Sequence, residues 1–453
     1  MKPTATPMVT GRPAPLILSF ALPLMVGNIF QQLYTVADGI IVGKALGVDA
    51  LAALGSAEWP NWLILGIIQG LAQGFSIPMS HAYGAGEKEK LKRTIGNAFC
   101  LSLIASLFLI CISQLAVYPL LLFLETPKDI IQMALLYLRI MFFGIPIVLL
   151  FNFQASVLRS MGDGKTPLFA LIIASFINIG LDLILVMLLH QGIAGAAIST
   201  LIAQVASNIY CFIQLKKISG IYISFKECKP SISITSSILK HGIPMALQNM
   251  LITIGSLIVQ FVVNQYGVLF IAGFAATNKL YGVLEIAATS YGYAMVTYAG
   301  QNLGAKKIER IHIGYRISLI IALATSLIIS FLIIIFGKNI LLLFLSGSRN
   351  AVEQTLTIAY RYLKIMALFL PILYILHVTR STIQGMGNTV IPMIAGIIEL
   401  IMRILSALIL PALVGQSGIF YAEVLAWVGS VIILIPAFFK IWGNIKKYTE
   451  DTV

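Results

Sequence analysis

Charge is scarce in this sequence. Asp, Glu, Lys and Arg make up 10% of its 453 residues, against about 25% in a soluble globular domain. That scarcity excludes a water-soluble fold. Acidic residues are rarer than basic ones, 17 against 30, giving a net charge of +13. In a soluble protein such an excess would suggest nucleic acid; in a membrane protein it has to be read by position first. Cysteine is also sparse. Cys100, Cys111, Cys211 and Cys228 sit in or near apolar segments without metal-ligand spacing, and are expected to be small buried hydrophobes. No phosphate loop, metal cluster or nucleophile triad is present, so neither enzymatic activity nor a cofactor is expected. The opening MKPTATPMVTGRPAP has no small-residue cleavage site, so the first apolar run is expected to remain as a membrane span.

What is abundant is hydrophobicity, at 59% of the chain. Twelve apolar stretches, the first near 15–43 and the last near 417–441, are long enough to cross a bilayer as helices. The expected fold is an all-α polytopic membrane protein with twelve transmembrane helices. With the N-terminus in the cytoplasm, about 21 of the 30 Lys and Arg fall on cytoplasmic loops and tails, Arg380 counted among them, and about four fall outside: Lys44, Lys128, Lys338 and Arg349. The chain is therefore expected in the cell (inner) membrane with both termini in the cytoplasm, and the net charge needs no nucleic-acid partner. The longest polar connection, 217–237, separates six spans from six. It divides the chain into an N-lobe (1–216), a cytoplasmic linker and a C-lobe (238–453).

The halves echo each other. LSFALPLMVGNIFQQLY (18–34) parallels LKHGIPMALQNMLITIG (239–255), with Pro23 opposite Pro244. HAYGAGEKEKLKR (81–93) parallels QNLGAKKIERIHI (301–313), and LRSMGDGKTP (158–167) parallels STIQGMGNTVIP (381–392). Six spans per half is an even number, so both halves start on the same side. They are parallel repeats, two six-helix bundles of the kind that work by alternating access.

Against this apolar background, Asp38 and Asp182 stand out. A carboxylate in hydrocarbon costs roughly 3 kcal/mol on insertion scales. Tyr34 lies four residues before Asp38, and Asn178 four before Asp182, so each pair shares a helix face. Thr200 follows in the sixth span. If spans one, five and six face one another, they gather oxygen ligands suited to a hard cation; two neighbouring carboxylates can equally hold a proton. Gln31, Asn152 and Gln154 lie on spans one and four and are candidates to line a substrate cavity or to bond between helices. Glu285 is deep in the eighth span, as a site for a cationic substrate or second ion, or as a charge neutralised by Lys279. Glu399 and Arg403, four apart, are expected to pair, and Glu423 to be solvated. Phe30, Phe153, Met161, Met250, Tyr281, Tyr291 and Met295 are candidates for an adaptable surface toward flat compounds, or for plain packing. Pro23 permits bending of the first span.

The set ALPLMVGNIFQQLYTVADGIIVGKALG, GAGEKEKLKR, LRSMGDGKTP, INIGLDLILV, AGQNLGA and QGMGNTVIP resembles the multidrug and toxic compound extrusion (MATE) family, over essentially the whole chain. A major facilitator protein would instead carry a D-R-x-G-R-R-like stretch where GAGEKEKLKR stands. The pattern is closer to the DinF-type branch than to the NorM branch, whose seventh-span acidic residue is missing here. The resemblance implies an N-lobe cation site at Tyr34, Asp38, Asn178, Asp182 and Thr200. It implies a Na⁺- or H⁺-coupled multidrug antiporter acting on small amphipathic or cationic compounds, functioning as a monomer in the bilayer. The alternatives are a lipid-linked saccharide flippase of the same superfamily, disfavoured by the confinement of Lys and Arg to loops, and a non-transporting receptor or scaffold, disfavoured by the lack of soluble domains.

Overall fold

Proline and glycine set the first boundaries. Helix α1 (Pro13–Leu46) opens on Pro13, where a missing N–H is harmless, and runs unbroken through Pro23. It stops at Gly47, whose φ of 87° starts α2 (Val48–Gly84) on a new axis. The computed structural model describes residues 7–218, 227–345 and 348–450. Among these, every regular element is helical. After α2 come α3 (Lys88–Phe123), α4 (Lys128–Phe143), α5 (Ile145–Ser160), α6 (Lys165–Asp182), a π-helical turn (Leu183–Leu188) and α7 (Gly192–Lys217). The second half follows with α8 (Ile232–Val263), α9 (Val268–Gly304), α10 (Ile308–Leu342), α11 (Arg349–Gly385), α12 (Val390–Val414) and α13 (Ala422–Glu450). Eleven of these helices, α6 being taken with its π turn, are long and apolar enough to cross a membrane. The pair α4–α5, bent by 49° at Gly144, makes a twelfth span. The chain is a multi-pass membrane protein of twelve helical spans.

The repeat is visible in the backbone. Left-handed residues recur at matching places in the two halves: Gly47 with Gly267, Gly86 with Lys306, Gly162 with Gly387, and His190 with Gly415. Each pair marks the same interhelical turn. The two glycines after a methionine, Gly162 and Gly387, have identical φ values of 85°. Each is followed by a side chain that caps the next helix: Asp163 Oδ1 accepts from the backbone N–H groups of Lys165 and Thr166 at 3.0 Å, and Asn388 Oδ1 accepts from Ile391 N–H at 3.1 Å. A left-handed turn and an Asx cap thus start both α6 and α12, satisfying amides that the helix leaves open.

Two compact units divide the described chain. Unit 1 holds residues 7–10 and 22–250; unit 2 holds 11–21 and 251 onward. The border between them falls within α8. Of the polar connection at 217–237, residues 219–226 lie outside the described residues, and Lys217 closes α7. Its later part is held against α3: the Asn97 amide donates to the Lys229 carbonyl at 3.2 Å, and its oxygen accepts from Ser231 N–H at 3.0 Å. Gly96 makes this approach possible, because a Cβ there would lie 2.4 Å from the Glu227 carbonyl oxygen.

The core of unit 1 is a packed apolar cluster drawn from α2, α3, α4, α5 and α7, with Ile68, Leu121, Leu138, Phe142, Leu149 and Ala197 at its centre. A second cluster contains Phe75, Met79, Phe153 and Met161. Phe153 and Met161 are therefore packed rather than offered as a surface, and Tyr291 and Met295 are buried in unit 2 as well. Of the four cysteines, all expected to be buried, Cys211 is buried, Cys100 and Cys228 are half-buried, and Cys111 is exposed on α3, where an apolar surface suits hydrocarbon as well as an interior does.

Candidate functional site

α1, α6 and α7 converge in unit 1 on a small polar centre. Asp38 comes from the last third of α1 and retains 9% exposure; Asp182 is the last residue of regular α6 and is fully buried. Their carboxyl groups face each other within hydrogen-bonding reach. Among the described residues, no Lys, Arg or His pairs with either one. The chain after Asp182 is a π-helical turn, a widened geometry that recurs at functional sites; it is closed by the Leu189 amide bonding to the Ile184 carbonyl at 2.8 Å.

The neighbours of the pair differ in part from those expected. Asn178 is buried one turn before Asp182, and its amide nitrogen stands 3.4 Å from both the Ser199 and the Thr200 hydroxyls. Asp182 Oδ1 accepts its hydrogen bond from Ser199, not Thr200. The Thr200 hydroxyl bonds back to the Ala196 carbonyl of its own helix at 3.1 Å. Tyr34 is half-buried, its hydroxyl in contact with Gln31 and Gln204 and its ring within electrostatic reach of Asp38. From α4, Tyr137 is buried and within electrostatic reach of Asp38, Tyr34 and Asp182. So the structure gathers Tyr34, Asp38, Asn178, Asp182, Thr200 and Gln31. It adds Ser199, Gln204 and Tyr137, which sequence reasoning missed. One signal could have found Gln204: it lies four residues after Thr200, on the same helix face.

Four acceptor oxygens of this centre have no donor: Asp38 Oδ1, Asp182 Oδ2, Asn178 Oδ1 and Gln204 Oε1. Buried acceptors without partners are uncommon, since each carries a desolvation cost of about 1–3 kcal/mol. An all-oxygen set with two carboxylates suits a hard cation, and the facing carboxyls suit a shared proton. Asn152 donates to the Val148 carbonyl of its own helix at 2.9 Å, and Gln154 is buried in α5 with Oε1 unpartnered.

Unit 2 has no copy of this arrangement among its described residues. It carries an ionic network whose pairing differs from what spacing alone suggests. Glu399 pairs with Arg380 of α11 and accepts from Ser430 at 2.8 Å. Arg403 pairs with Glu423 of α13 at 2.6 Å and donates to the Ile252 carbonyl at 2.8 Å. The expected Glu399–Arg403 pair is therefore replaced by two interhelical ones. Side chains four apart share a face, but on a buried face each can reach a better-aligned partner across the interface. Glu423 is consequently largely enclosed, its side chain 13% exposed, rather than solvated, and Arg380 is a buried member of α11 rather than a loop residue. Glu285 faces His377 at 3.4 Å, not Lys279.

Comparison with known proteins agrees with this architecture. Residues 23–184 and 244–409 match the family described as MatE, one stretch in each half. The probable multidrug resistance protein YpnP of Bacillus subtilis is 30% identical over 412 residues, which cover 89% of each chain. YoeA of the same organism, also named a probable multidrug resistance protein, is 27% identical over 83% of this chain and 82% of its own. Among solved structures, a MOP superfamily transporter from Pyrococcus furiosus superposes with a TM-score of 0.91 at 24% identity, over 98% of this chain and 99% of that one. A MATE protein in complex with MaL6 superposes with a TM-score of 0.90 at 24% identity, over 99% and 100%. With the family matched in both halves and the twelve-span fold shared throughout, this chain belongs to the MatE family of membrane transporters.

Proposed function

We propose that the chain is a cation-coupled multidrug antiporter that exports amphipathic, often cationic, organic compounds from the cell by alternating access. The driving ion, Na⁺ or H⁺, binds at Asp38 and Asp182 in the first lobe, the arrangement associated with the DinF-type branch. Asn178, Tyr34 and Thr200 complete the site, with Ser199 and Gln204 beside them. The lobes of this reading are 1–216 and 238–453, joined by 217–237. The protein works as a monomer in the cell membrane with both termini in the cytoplasm. The names of the Bacillus relatives support a drug-export role.

The observation that carries the reading is the set of four buried, donorless acceptor oxygens around two facing carboxylates. Two negative charges in one buried place repel each other and forfeit hydration. A bound cation or proton removes both penalties, and among the described residues no basic side chain performs that task. An ion shifts a conformational equilibrium only by its differential affinity for the two states. The carboxylates must therefore change spacing or exposure between the inward-open and outward-open forms. The hinge for such a change has two candidates on the same elements: Pro23 within α1 and the π turn that follows Asp182.

Efflux from proteoliposomes, driven in separate experiments by a Na⁺ gradient and by a pH gradient, tests the reading. Whichever gradient drives wild-type efflux, Asp38→Asn and Asp182→Asn variants are expected to lose at least about tenfold of it, each removing one charge of the pair. Undiminished gradient-driven efflux in both variants would sink the assignment.

A further inference from the structure

Two of the four cysteines meet near the basic end of α3. Cys100 lies two turns beyond Arg93, the last of the cations that open that helix. Cys228 lies in the segment that leads into α8. The two are 128 residues apart in the chain, yet the Cys100 thiol donates a weak hydrogen bond to the Cys228 carbonyl at 3.7 Å. Their side chains are within hydrogen-bonding reach of each other. Both residues are half-buried, so neither thiol is sealed from a small reagent. The other two cysteines are placed differently: Cys111 is about three turns farther along α3, and Cys211 is buried in α7.

More than the thiols holds this contact. Asn97, one turn before Cys100, is buried and grips the approaching segment through both ends of its amide. The nitrogen stands 3.4 Å from the Glu227 carbonyl and 3.2 Å from the Lys229 carbonyl, one on either side of Cys228. The oxygen accepts from Ser231 N–H at 3.0 Å and from the Thr235 hydroxyl at 3.3 Å. Gly96 keeps the helix surface low at this point, since a Cβ there would meet the Glu227 carbonyl oxygen at 2.4 Å and the Cys228 nitrogen at 3.0 Å. The backbone on both sides of Cys228 is therefore fixed against the turn that carries Cys100. Thiols pinned in this way have a high effective concentration for each other. A cysteine that only fills space needs no such registration.

We propose that Cys100 and Cys228 form a modification site, a reversible intramolecular disulfide that ties the segment leading into α8 to α3. The reagent is a low-molecular-weight disulfide such as oxidised glutathione. One protein thiolate attacks it, forming a mixed disulfide and releasing one small thiolate. The second protein thiolate attacks the protein sulfur of that mixed disulfide, which closes the Cys100–Cys228 bond and releases the other small thiolate. Two protein thiols are oxidised, one small disulfide is reduced, and the two protein protons leave with the two small thiols. In the topology proposed above the pair faces the cytoplasm, where a disulfide is transient and senses oxidants rather than building structure. That compartment rests on the proposed topology; the cross-link itself does not. Closure acts on α8 (Ile232–Val263), whose start becomes covalently tied to α3 while its residues from Leu251 onward belong to unit 2.

Purified full-length protein in detergent, equilibrated with glutathione buffers of rising oxidised fraction and then alkylated, tests this by peptide mass spectrometry. The expected product is a peptide pair linked through Cys100 and Cys228, with about two reduced glutathiones released per protein. Dithiothreitol should return both thiols. In Cys100→Ser the link should vanish and Cys228 should carry a single glutathione. Asn97→Ala leaves both thiols in place but removes the grip on the segment, and should slow closure at least about tenfold. If Asn97→Ala fails to fold, the linked peptide and the released glutathione decide the matter. Separate glutathionylation of Cys100 and Cys228 without a link, a link that involves Cys111 or Cys211, or closure at the wild-type rate in Asn97→Ala overturns the proposal.

Discussion

The Ser199 hydroxyl has one proton and two acceptors in reach, Asp182 Oδ1 and the Ala196 carbonyl at 2.8 Å. Its bond to Asp182 is in place, and a hydrogen bond to a charged group contributes about 1.5–3 kcal/mol. Ser199→Ala should therefore raise the half-maximal concentration of the coupling ion by about tenfold or more. Ser199→Thr, which keeps the hydroxyl, should restore it. Initial rates of efflux against ion concentration would reveal this; an unchanged half-maximal value in the alanine variant would remove Ser199 from the site. At this scale the sequence was informative where a residue was out of place. Asp38 and Asp182 were legible because a carboxylate has no ordinary reason to sit in an apolar span, and Asn178 because it shares a face with Asp182. Ser199, Gln204 and Tyr137 were not, because serine, glutamine and tyrosine are common in membrane helices and only the rotation of α7 and α4 shows which of them point inward. The same limit misled the reading of Glu399 and Arg403. Their spacing permits a pair on one helix, but the choice between that and partners on α11 and α13 is made by packing.

Among the elements, α2 and α8 meet with almost no space between their backbones. A Cβ on Gly70 would lie 2.6 Å from the Ala246 Cα and the Met245 carbonyl, and one on Gly74 would lie 2.5 Å from the Gly242 Cα. Each helix thus presents small residues four apart, Gly70 and Gly74 against Gly242 and Ala246, the pattern that lets membrane helices pack by close contact when no hydrophobic effect drives them together. The obstacles are backbone atoms, so no side-chain rotation can relieve them. Gly70→Val or Gly74→Val should cost about 1–3 kcal/mol and appear as a lower unfolding temperature in detergent. Gly55→Ala on the same helix meets nothing within 4 Å and should leave that temperature unchanged or slightly raised, since alanine is the better helix former. An equal loss in all three variants would mean that helix propensity, not contact, is being measured. The spans were legible from their length and hydropathy, as were the turns from their glycines. The bend at Gly144 and the π turn after Asp182 were not: both arise from how neighbouring helices pack, and an apolar run reads the same whether it is straight, kinked or wound more loosely.

On the scale of the whole molecule, the parallel repeat was legible because its turns are chemically demanding. The left-handed positions after α5 and α11 require glycine, and the caps that follow require Asp163 and Asn388. The divergence of the halves was legible too, since Asp38 and Asp182 have no counterparts among the described residues of unit 2. In the proposed reading, an even number of spans in each half puts both termini on one side of the membrane, and the distribution of Lys and Arg assigns that side to the cytoplasm. A fluorescent protein fused after Val453 should therefore fluoresce, whereas alkaline phosphatase should be inactive there and active when inserted at His190–Gln191. The opposite pattern would invert the topology. One consequence concerns how such a chain is made. The Gly11 carbonyl accepts from Arg310 at 3.1 Å, across a separation of 299 residues, and residues 11–21 belong with unit 2 although they emerge first. At bacterial synthesis rates of about 5–20 residues per second, the leading turn of the first span waits roughly 15–60 s for its partner to leave the ribosome. During that interval residues 11–21 are held by the insertion machinery or lipid alone, so this stretch is exposed to proteolysis and misinsertion until α10 has emerged.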